Sequence, residues 1–399
     1  MPRMSWWALL FFAVVAGLSL LSAAENLVGF TSPMWSSTLT ALPQLFSLLP
    51  SAMAAWAAWQ IGRMRATGEL LAVRNRAHVL LRWLLPVVVT SVALPLLAVA
   101  ALAPDRLGRP VPGDLFFIPV ASMLLLAWGM VGGVLGRFLP GPVAIPVALV
   151  GAFLGMTFPE SWSSFAPRHV LGLHSVCCTI DTAVAPAIAP TSLLFYGVTA
   201  GLLALVLARP SWVLLGAALL GIGVTFVLGW RQVSDIDNAY GSVPRPTEQL
   251  DCRGQQPRVC LWPEQEPERA LIRSTAEQIT RQMTALRIPV PGEVSPLLDA
   301  AWVYYGQAGS PPTVIQRSLV SGITYTPMPA CAQQGKLWTY PEVMADLNTW
   351  VWLRSGFDRT QVQPSKLVDD VLQRPLAQQV EWFTRNHEQR HRCDVEPVR

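Results

Sequence analysis

Long apolar runs fill the first part of the chain and stop near residue 230. A helix rises about 1.5 Å per residue, so crossing about 30 Å of hydrocarbon takes roughly 20 mostly apolar residues. About seven segments fit: 6–24, 43–61, 83–103, 115–135, 141–158, 188–208 and 212–229. The fifth is short and rich in Pro and Gly. Trp6, Trp7, Trp83, Trp212 and Trp230 stand at span ends, where amphipathic rings anchor at the membrane interface. The first run follows Arg3 and ends in Leu21-Ser22-Ala23-Ala24, which also has the form of a signal peptide. The further spans behind it favour an uncleaved anchor.

Beyond residue 230 the pattern becomes that of a water-soluble domain. Residues 231–267 carry Pro244, Pro246, Pro257 and Pro263 and read as a linker, with Cys252 to Cys260 forming a hairpin or closed loop. In 268–286, Leu271, Ile272, Ile279, Met283 and Leu286 share one helical face. Residues 296–305 read as a short helix, with Ser295 as N-cap and Pro296 at its first position. Ser310-Pro311-Pro312 breaks the chain, and 344–355, 366–373 and 376–392 are further helical segments. Trp302, Trp338, Trp350, Trp352 and Trp382 supply the expected core.

Charge gives this division a side. Only 14% of the chain is charged, against about 25% in ordinary soluble proteins. Residues 1–230 hold 11 Lys+Arg and 6 Asp+Glu; residues 231–399 hold 18 and 19. The net charge of +4 therefore belongs to the membrane half. It reports topology, and no basic stripe with interleaved aromatics suggests nucleic acid. The loop after the second span carries Arg63, Arg65, Arg74, Arg76 and Arg82 against Glu69 alone, so it is expected in the cytoplasm. Counting from it puts the N-terminus and the loops with Arg137 and Arg209 inside. The loop with Asp105, Arg106 and Arg109, the loop with Cys177 and Cys178, and the C-terminal region fall outside. An even set of cysteines there (Cys177, Cys178, Cys252, Cys260, Cys331 and Cys393) reads as disulfides of open connectivity. The predicted fold is a membrane all-α chain. A polytopic bundle of about seven transmembrane helices (1–230) is followed by a linker (231–267) and a mostly helical, disulfide-containing extracytoplasmic domain (268–399).

Two constellations could carry metal chemistry. His387-Glu388-Gln389-Arg390-His391 matches H-E-x-x-H, in which two histidines one helical turn apart hold zinc and the glutamate acts as base. A third ligand is hard to find: Asp394 and Glu396 lie too close along the chain, and a solvated polar helix face is the preferred account. His169, His174, Cys177 and Cys178 fall within ten residues and could bind zinc or copper. Structural disulfides beside interfacial histidines are preferred there. No cofactor is expected.

The span centres carry no Asp, Glu, Lys, Arg or His, which argues against an ion-coupled pump. No G-x-x-x-x-G-K-[ST] is present, so the chain supplies no nucleotide-driven force of its own. G-x-S-x-G and kinase signatures are also missing. Gly129, Gly132, Gly133 and Gly136 form a small-residue packing face, for a neighbouring helix of the same chain or for a second subunit in a homo- or hetero-oligomer.

Three stretches together resemble a known group. Ala54-Ala55-Trp56-Ala57-Ala58-Trp59 runs into Arg74-Asn75-Arg76; Pro167-Arg168-His169-Val170-Leu171-Gly172 leads to Cys177-Cys178 and Asp181; Cys252 to Cys260 is followed by Leu261-Trp262-Pro263-Glu264. The combination resembles actinobacterial multi-pass membrane proteins of the ABC transporter permease-like group, with an uncharacterised extracytoplasmic C-terminal domain. The resemblance implies a separate ATPase subunit docking on the cytoplasmic face, with loop 62–82 as its contact. It assigns no catalytic residue.

Overall fold

The computed structural model describes residues 14–15, 17, 35–45, 48–67, 76–102, 113–173, 177–178, 180–306 and 309–395. The first predicted span, 6–24, lies almost wholly outside them. The chain divides between Pro244 and Arg245 into two compact units.

The first unit is a helical bundle. Its helices are α1 (Trp35–Leu45), α2 (Leu49–Ala66), α3 (Arg76–Leu102), α4 (Phe117–Phe138), α5 (Gly141–Thr157), the short α6 (Ala166–Val170), α7 (Ile188–Ala208) and α8 (Trp212–Val233). Among the described residues four stretches are long and apolar enough to cross a membrane: Leu84–Ala101 within α3, Asp114–Phe138, Ile188–Ala208 and Trp212–Val233. Helix α5 is apolar but has 17 residues, a length of about 25 Å at 1.5 Å per residue. The predicted span 43–61 is two elements. Pro43 lies inside α1, and α2 starts only at Leu49, with Pro50 in its first turn. The proline suits the start of α2, where its missing N–H has no partner to lose.

Helix α2 is the axis of this unit, and small residues put it there. On one side it meets α4 backbone to backbone. A Cβ added at Gly132 would lie 1.9 Å from the Ala54 carbonyl oxygen, and one at Gly136 would lie 2.3 Å from that of Ala58. On another side Ala144, Ala148 and Ala152 of α5, one turn apart, form a buried cluster with the same Ala54 and Ala58. Helix–helix association in lipid lacks a hydrophobic drive and relies on this kind of close backbone approach. The other two glycines of α4 face Val87 of α3 (Gly129) and Leu207 of α7 (Gly133). All four glycines therefore face neighbours in the same chain. Beyond α5, α6 and the two-stranded β1 (Thr182–Val184) and β2 (Ser242–Pro244) cover one end of the bundle, with Ala183 opposite Val243.

The second unit carries β3 (Asp251–Arg253), β4 (Arg258–Leu261) and β5 (Glu293–Val294) in one three-stranded sheet. Around it stand α9 (Arg269–Ala285), α10 (Pro312–Thr324), α11 (Ala330–Gln333), α12 (Tyr340–Arg354), α13 (Lys366–Gln373) and α14 (Leu376–Glu388). The stretch expected to be a linker is thus divided. Helix α8 runs on to Val233, β2 belongs to the first unit, and the Cys252–Cys260 hairpin is part of the sheet of the second. The two cysteines stand directly opposite on β3 and β4 and are bonded. Cys331 and Cys393 form the second bridge of this unit. It closes a loop of 62 residues, for which the chain-entropy account gives about 4 kcal/mol of stabilisation.

Two helix expectations change here. Residues 296–305 are not helical: the Tyr304 N–H donates to the Ser295 carbonyl at 2.8 Å and the Ser295 N–H to that of Trp302 at 3.0 Å, so the backbone pairs across the segment rather than along a helix, and Trp302, Val303 and Tyr304 are all fully buried. Val303 instead forms a parallel bridge with Ser295, and the Trp302 indole N–H donates to the Leu319 carbonyl at 2.7 Å. Conversely, Pro312 opens α10 rather than ending a segment, occupying the first turn where proline is tolerated. Trp302, Trp350, Trp352 and Trp382 are buried as expected, joined by Trp262.

The close approach of α2 and α4 has a direct consequence. Gly132→Val forces side-chain atoms into the Ala54 backbone and is expected to cost about 1–3 kcal/mol or more by overpacking. The detergent-solubilised variant should melt well below the parent, while Gly197→Ala, whose added Cβ meets nothing within 4 Å, should not. Equal melting of the two variants would show that the backbones do not meet.

Candidate functional site

Where large and small residues do not interlock, between α4, α5, α7 and α8, the first unit holds a cavity of about 610 Å³. Trp128 and Phe138 of α4 and Leu154 of α5 form one wall; Tyr196 and Thr199 of α7 and Trp212 and Leu219 of α8 form the other. Among its lining residues none is charged. The polar atoms of α7 are already used: the Thr199 hydroxyl donates to the Phe195 carbonyl at 2.7 Å, and the Tyr196 hydroxyl to that of Leu171 at 2.8 Å. The cavity offers dispersion and shape and no path for an ion. Helix α8 lines it with Trp212, Leu215, Leu219 and Ile222, and most of the apolar side chains of the helix are exposed, Val213 and Leu220 among them. A second apolar cavity, of about 810 Å³, lies between α2 and α5 beside Trp56 and Trp59.

One end of the first cavity is bounded by Phe158, Pro159 and Trp162, just after α5. Arg168 of α6 is fastened to this rim. Its Nε–H donates to the Pro159 carbonyl at 3.1 Å, an Nη2–H to that of Trp162 at 2.5 Å, and its guanidinium lies 5.0 Å from the Phe165 ring centroid. Among the described residues it has no ion pair with a carboxylate. At the other end, Phe138 and Leu139 line the cavity, and Arg65 Nη1 donates to the carbonyls of Arg137 and Leu139, each at 3.3 Å.

His169, next to Arg168, has a structural task. It is fully buried, its Nε2 lies 3.0 Å from the Asn238 carbonyl, and its own carbonyl accepts from the Ser192 hydroxyl at 2.8 Å. These bonds tie α6 to α7 and to the segment after α8. Burial holds the imidazole below its usual pKa. His174 lies outside the described residues. Cys177 and Cys178 are bonded to each other, so neither sulfur is a thiolate for zinc or copper. Of the expected inner-face arginines, Arg63 lies over the Trp59 ring at 5.0 Å and Arg65 is bonded as above. Arg74 and the side chains of Arg76 and Arg82 lie outside the described residues. Helix α2 continues to Ala66 and α3 begins at Arg76, so both take residues from the expected loop 62–82.

In the second unit His387, Glu388 and His391 do come near one another, but a cation already sits between the histidines. Arg390 Nε donates to His391 Nε2 at 3.1 Å, and Arg390 Nη1 bonds His387 Nε2. The Arg390 carbonyl is held by the Trp338 indole N–H at 3.0 Å. His391 Nδ1 then faces the Thr326 hydroxyl at 3.1 Å, and the His387 ring stacks on Phe383 with centroids 5.4 Å apart. Zinc would have to displace the guanidinium from both Nε2 atoms. The α-helix also ends at Glu388, leaving His391 in a 3₁₀ turn outside the regular i, i+4 geometry. Among the described residues no group of three His, Cys, Asp or Glu side chains is placed to hold a metal; Glu396 lies outside them.

Residues 259–393 match the family described as a domain of unknown function (DUF7224). The match runs from within β4 to the disulfide cysteine Cys393 and covers less than half of the chain. No curated protein and no solved structure matches the sequence.

Burial, then the charges of Arg390 and His391, pushes the pKa of His387 down to about 4 from 6.5. A depressed imidazole pKa means that folding requires the neutral ring. Its contribution is present above about pH 6.5 and is lost as the pH falls through about 4, up to roughly 3 kcal/mol. Tryptophan-detected denaturation should therefore show stability falling across that window. His387→Phe, which keeps the stacking and cannot titrate, should flatten the fall, though His391 and His169 add to it. A pH profile identical in parent and variant would rule the buried neutral ring out.

Proposed function

We propose that the chain is the membrane-spanning, permease-like subunit of an ABC-type transport system, that its ATPase is a separate protein, and that its cargo is apolar and lipid-like. The observation that carries this is the cavity between α4, α5, α7 and α8: about 610 Å³, without a charged lining residue, at the depth of the spans. Two features of the sequence support the same reading. The chain lacks a nucleotide-binding motif, and its span centres lack the ionisable groups of an ion-coupled pump.

The topology that goes with it has the N-terminus in the cytoplasm, seven crossings, and the second unit outside. Span 6–24, α2 and α5 supply the crossings beyond the four long apolar helices. The arginine bias of the loop after α2 supports this orientation. So do the Cys252–Cys260 and Cys331–Cys393 bridges, which persist in oxidising compartments. The inner end of α2 with Arg63 and Arg65 is the proposed contact for the ATPase.

A second reading is favoured by the way α2 is packed. Small residues of α4 and α5 close on it. That suits a non-transporting bundle that anchors an envelope-binding domain. Affinity purification of the tagged chain in mild detergent separates the two. Recovery of a stoichiometric nucleotide-binding subunit, lost on Arg63→Glu/Arg65→Glu, is the expected result. A chain that purifies alone, from cells in which tagging leaves its function intact, would leave the anchoring role.

A further inference from the structure

The transport reading leaves open which lipid-like cargo is carried, and Arg168 narrows it. We infer that the cavity takes one acyl chain of an anionic phospholipid whose phosphate is held by Arg168 at the Pro159–Trp162 rim. The inference rests on the cavity being the ligand site and does not need an ATPase to be present.

Three observations carry it. The cavity interior is mostly hydrocarbon: no lining residue is charged, the Tyr196 and Thr199 hydroxyls are satisfied by backbone carbonyls, and the buried Trp128 indole N–H is a polar atom left without a partner among the described residues. One indole N–H cannot replace the hydration of a charged phosphate, so the headgroup remains at an end. At the rim stands a cation whose position is fixed in advance. Both carbonyls that Arg168 binds, those of Pro159 and Trp162, belong to residues lining the cavity, and Phe165 supports the guanidinium from the side. Third, none of the ion pairs among the described residues involves Arg168, the side chain of Glu160 in the same rim lying outside them. Two of its five N–H donors are used, so others remain for a phosphate. Charge and apolar surface thus meet at one place, in the arrangement of an anionic lipid: a hydrogen-bonding anion joined to a chain.

Arg65 marks the opposite end and is the weaker candidate. Its bonds to the Arg137 and Leu139 carbonyls are both 3.3 Å, and its side chain is exposed. A guanidinium at each end raises the question of which one receives the headgroup. The shorter bonds of Arg168 and its ring support select that end.

The test is native mass spectrometry of the full chain in detergent, titrated with phosphatidylglycerol and with phosphatidylcholine of the same acyl chains. The parent is expected to retain phosphatidylglycerol roughly fivefold better, the worth of about one cation beside an anionic headgroup. Arg168→Gln should remove that preference while both lipids still bind. Arg168→Lys should keep most of it, which separates the charge from the loop-fastening bonds. Thr199→Trp, which fills the cavity, should reduce the binding of both lipids. Inorganic phosphate should not compete; competition by phosphate alone would reveal an anion site without a chain and overturn the inference. So would equal retention of the two lipids by the parent, a preference that survives Arg168→Gln, or one that disappears with Arg65→Gln instead. If the lipid preference fails while an ATPase copurifies, transport stands with a different cargo; if the preference holds and no ATPase is found, the site stands without transport.

Discussion

The membrane unit depends on the contact between two backbones. At Gly132 and Gly136 the surface of α4 has no side chain, and the carbonyls of Ala54 and Ala58 occupy the space. Because α2 is held this closely, Ala144, Ala148 and Ala152 of α5 can reach the same two alanines from another side. In lipid an apolar side chain gains little by leaving one hydrocarbon surface for another, so interfaces between spans are made by shape. Small residues in register give α2 a fixed seat, and the remaining helices are arranged around it.

The same rule explains where the cavity lies. Away from α2 the helices carry large residues, Trp128, Phe138, Phe195 and Trp212 among them, and these do not interlock as alanines and glycines do. Helix α8 is held by α7 and α6 and leaves much of its apolar surface exposed. A bundle tight on one side and loose on the other provides both a rigid scaffold and a volume beside it. Arg168 then gives this volume a polar end. Its position is set by the buried His169 and by the carbonyls it binds, so the charge belongs to the fold rather than to a mobile loop.

The second unit is built by different means. Tryptophans fill its core, a hairpin with paired cysteines edges its sheet, and Cys331–Cys393 holds its end segment. Arg390 lies between His387 and His391 as a hydrogen-bond donor to both, so a spacing that suggests a metalloprotease serves as a local clasp. The match to a domain of unknown function covers this unit and leaves the membrane unit outside it.

Much of the layout is legible from residue pattern alone. Apolar length marks α3, α4, α7 and α8, the change of composition near residue 230 separates a membrane half from a polar one, and cysteine content foretells disulfides. These features follow from local quantities: length against bilayer thickness, charge per segment, residue type. The end of α8, the division of the expected linker and the non-helical path of Trp302–Tyr304 depend on partners distant in sequence. So does the site. No periodicity announces that α4, α5, α7 and α8 leave a gap, or that Arg168 bonds the carbonyls of Pro159 and Trp162. The glycine stripe on α4 could be read as a packing face; only the folded chain decided that its partners are α2, α3 and α7. The physical reason is the same throughout: hydrophobicity and charge are properties of a residue, whereas a cavity, a backbone contact and a guanidinium between two imidazoles are properties of several segments meeting at once.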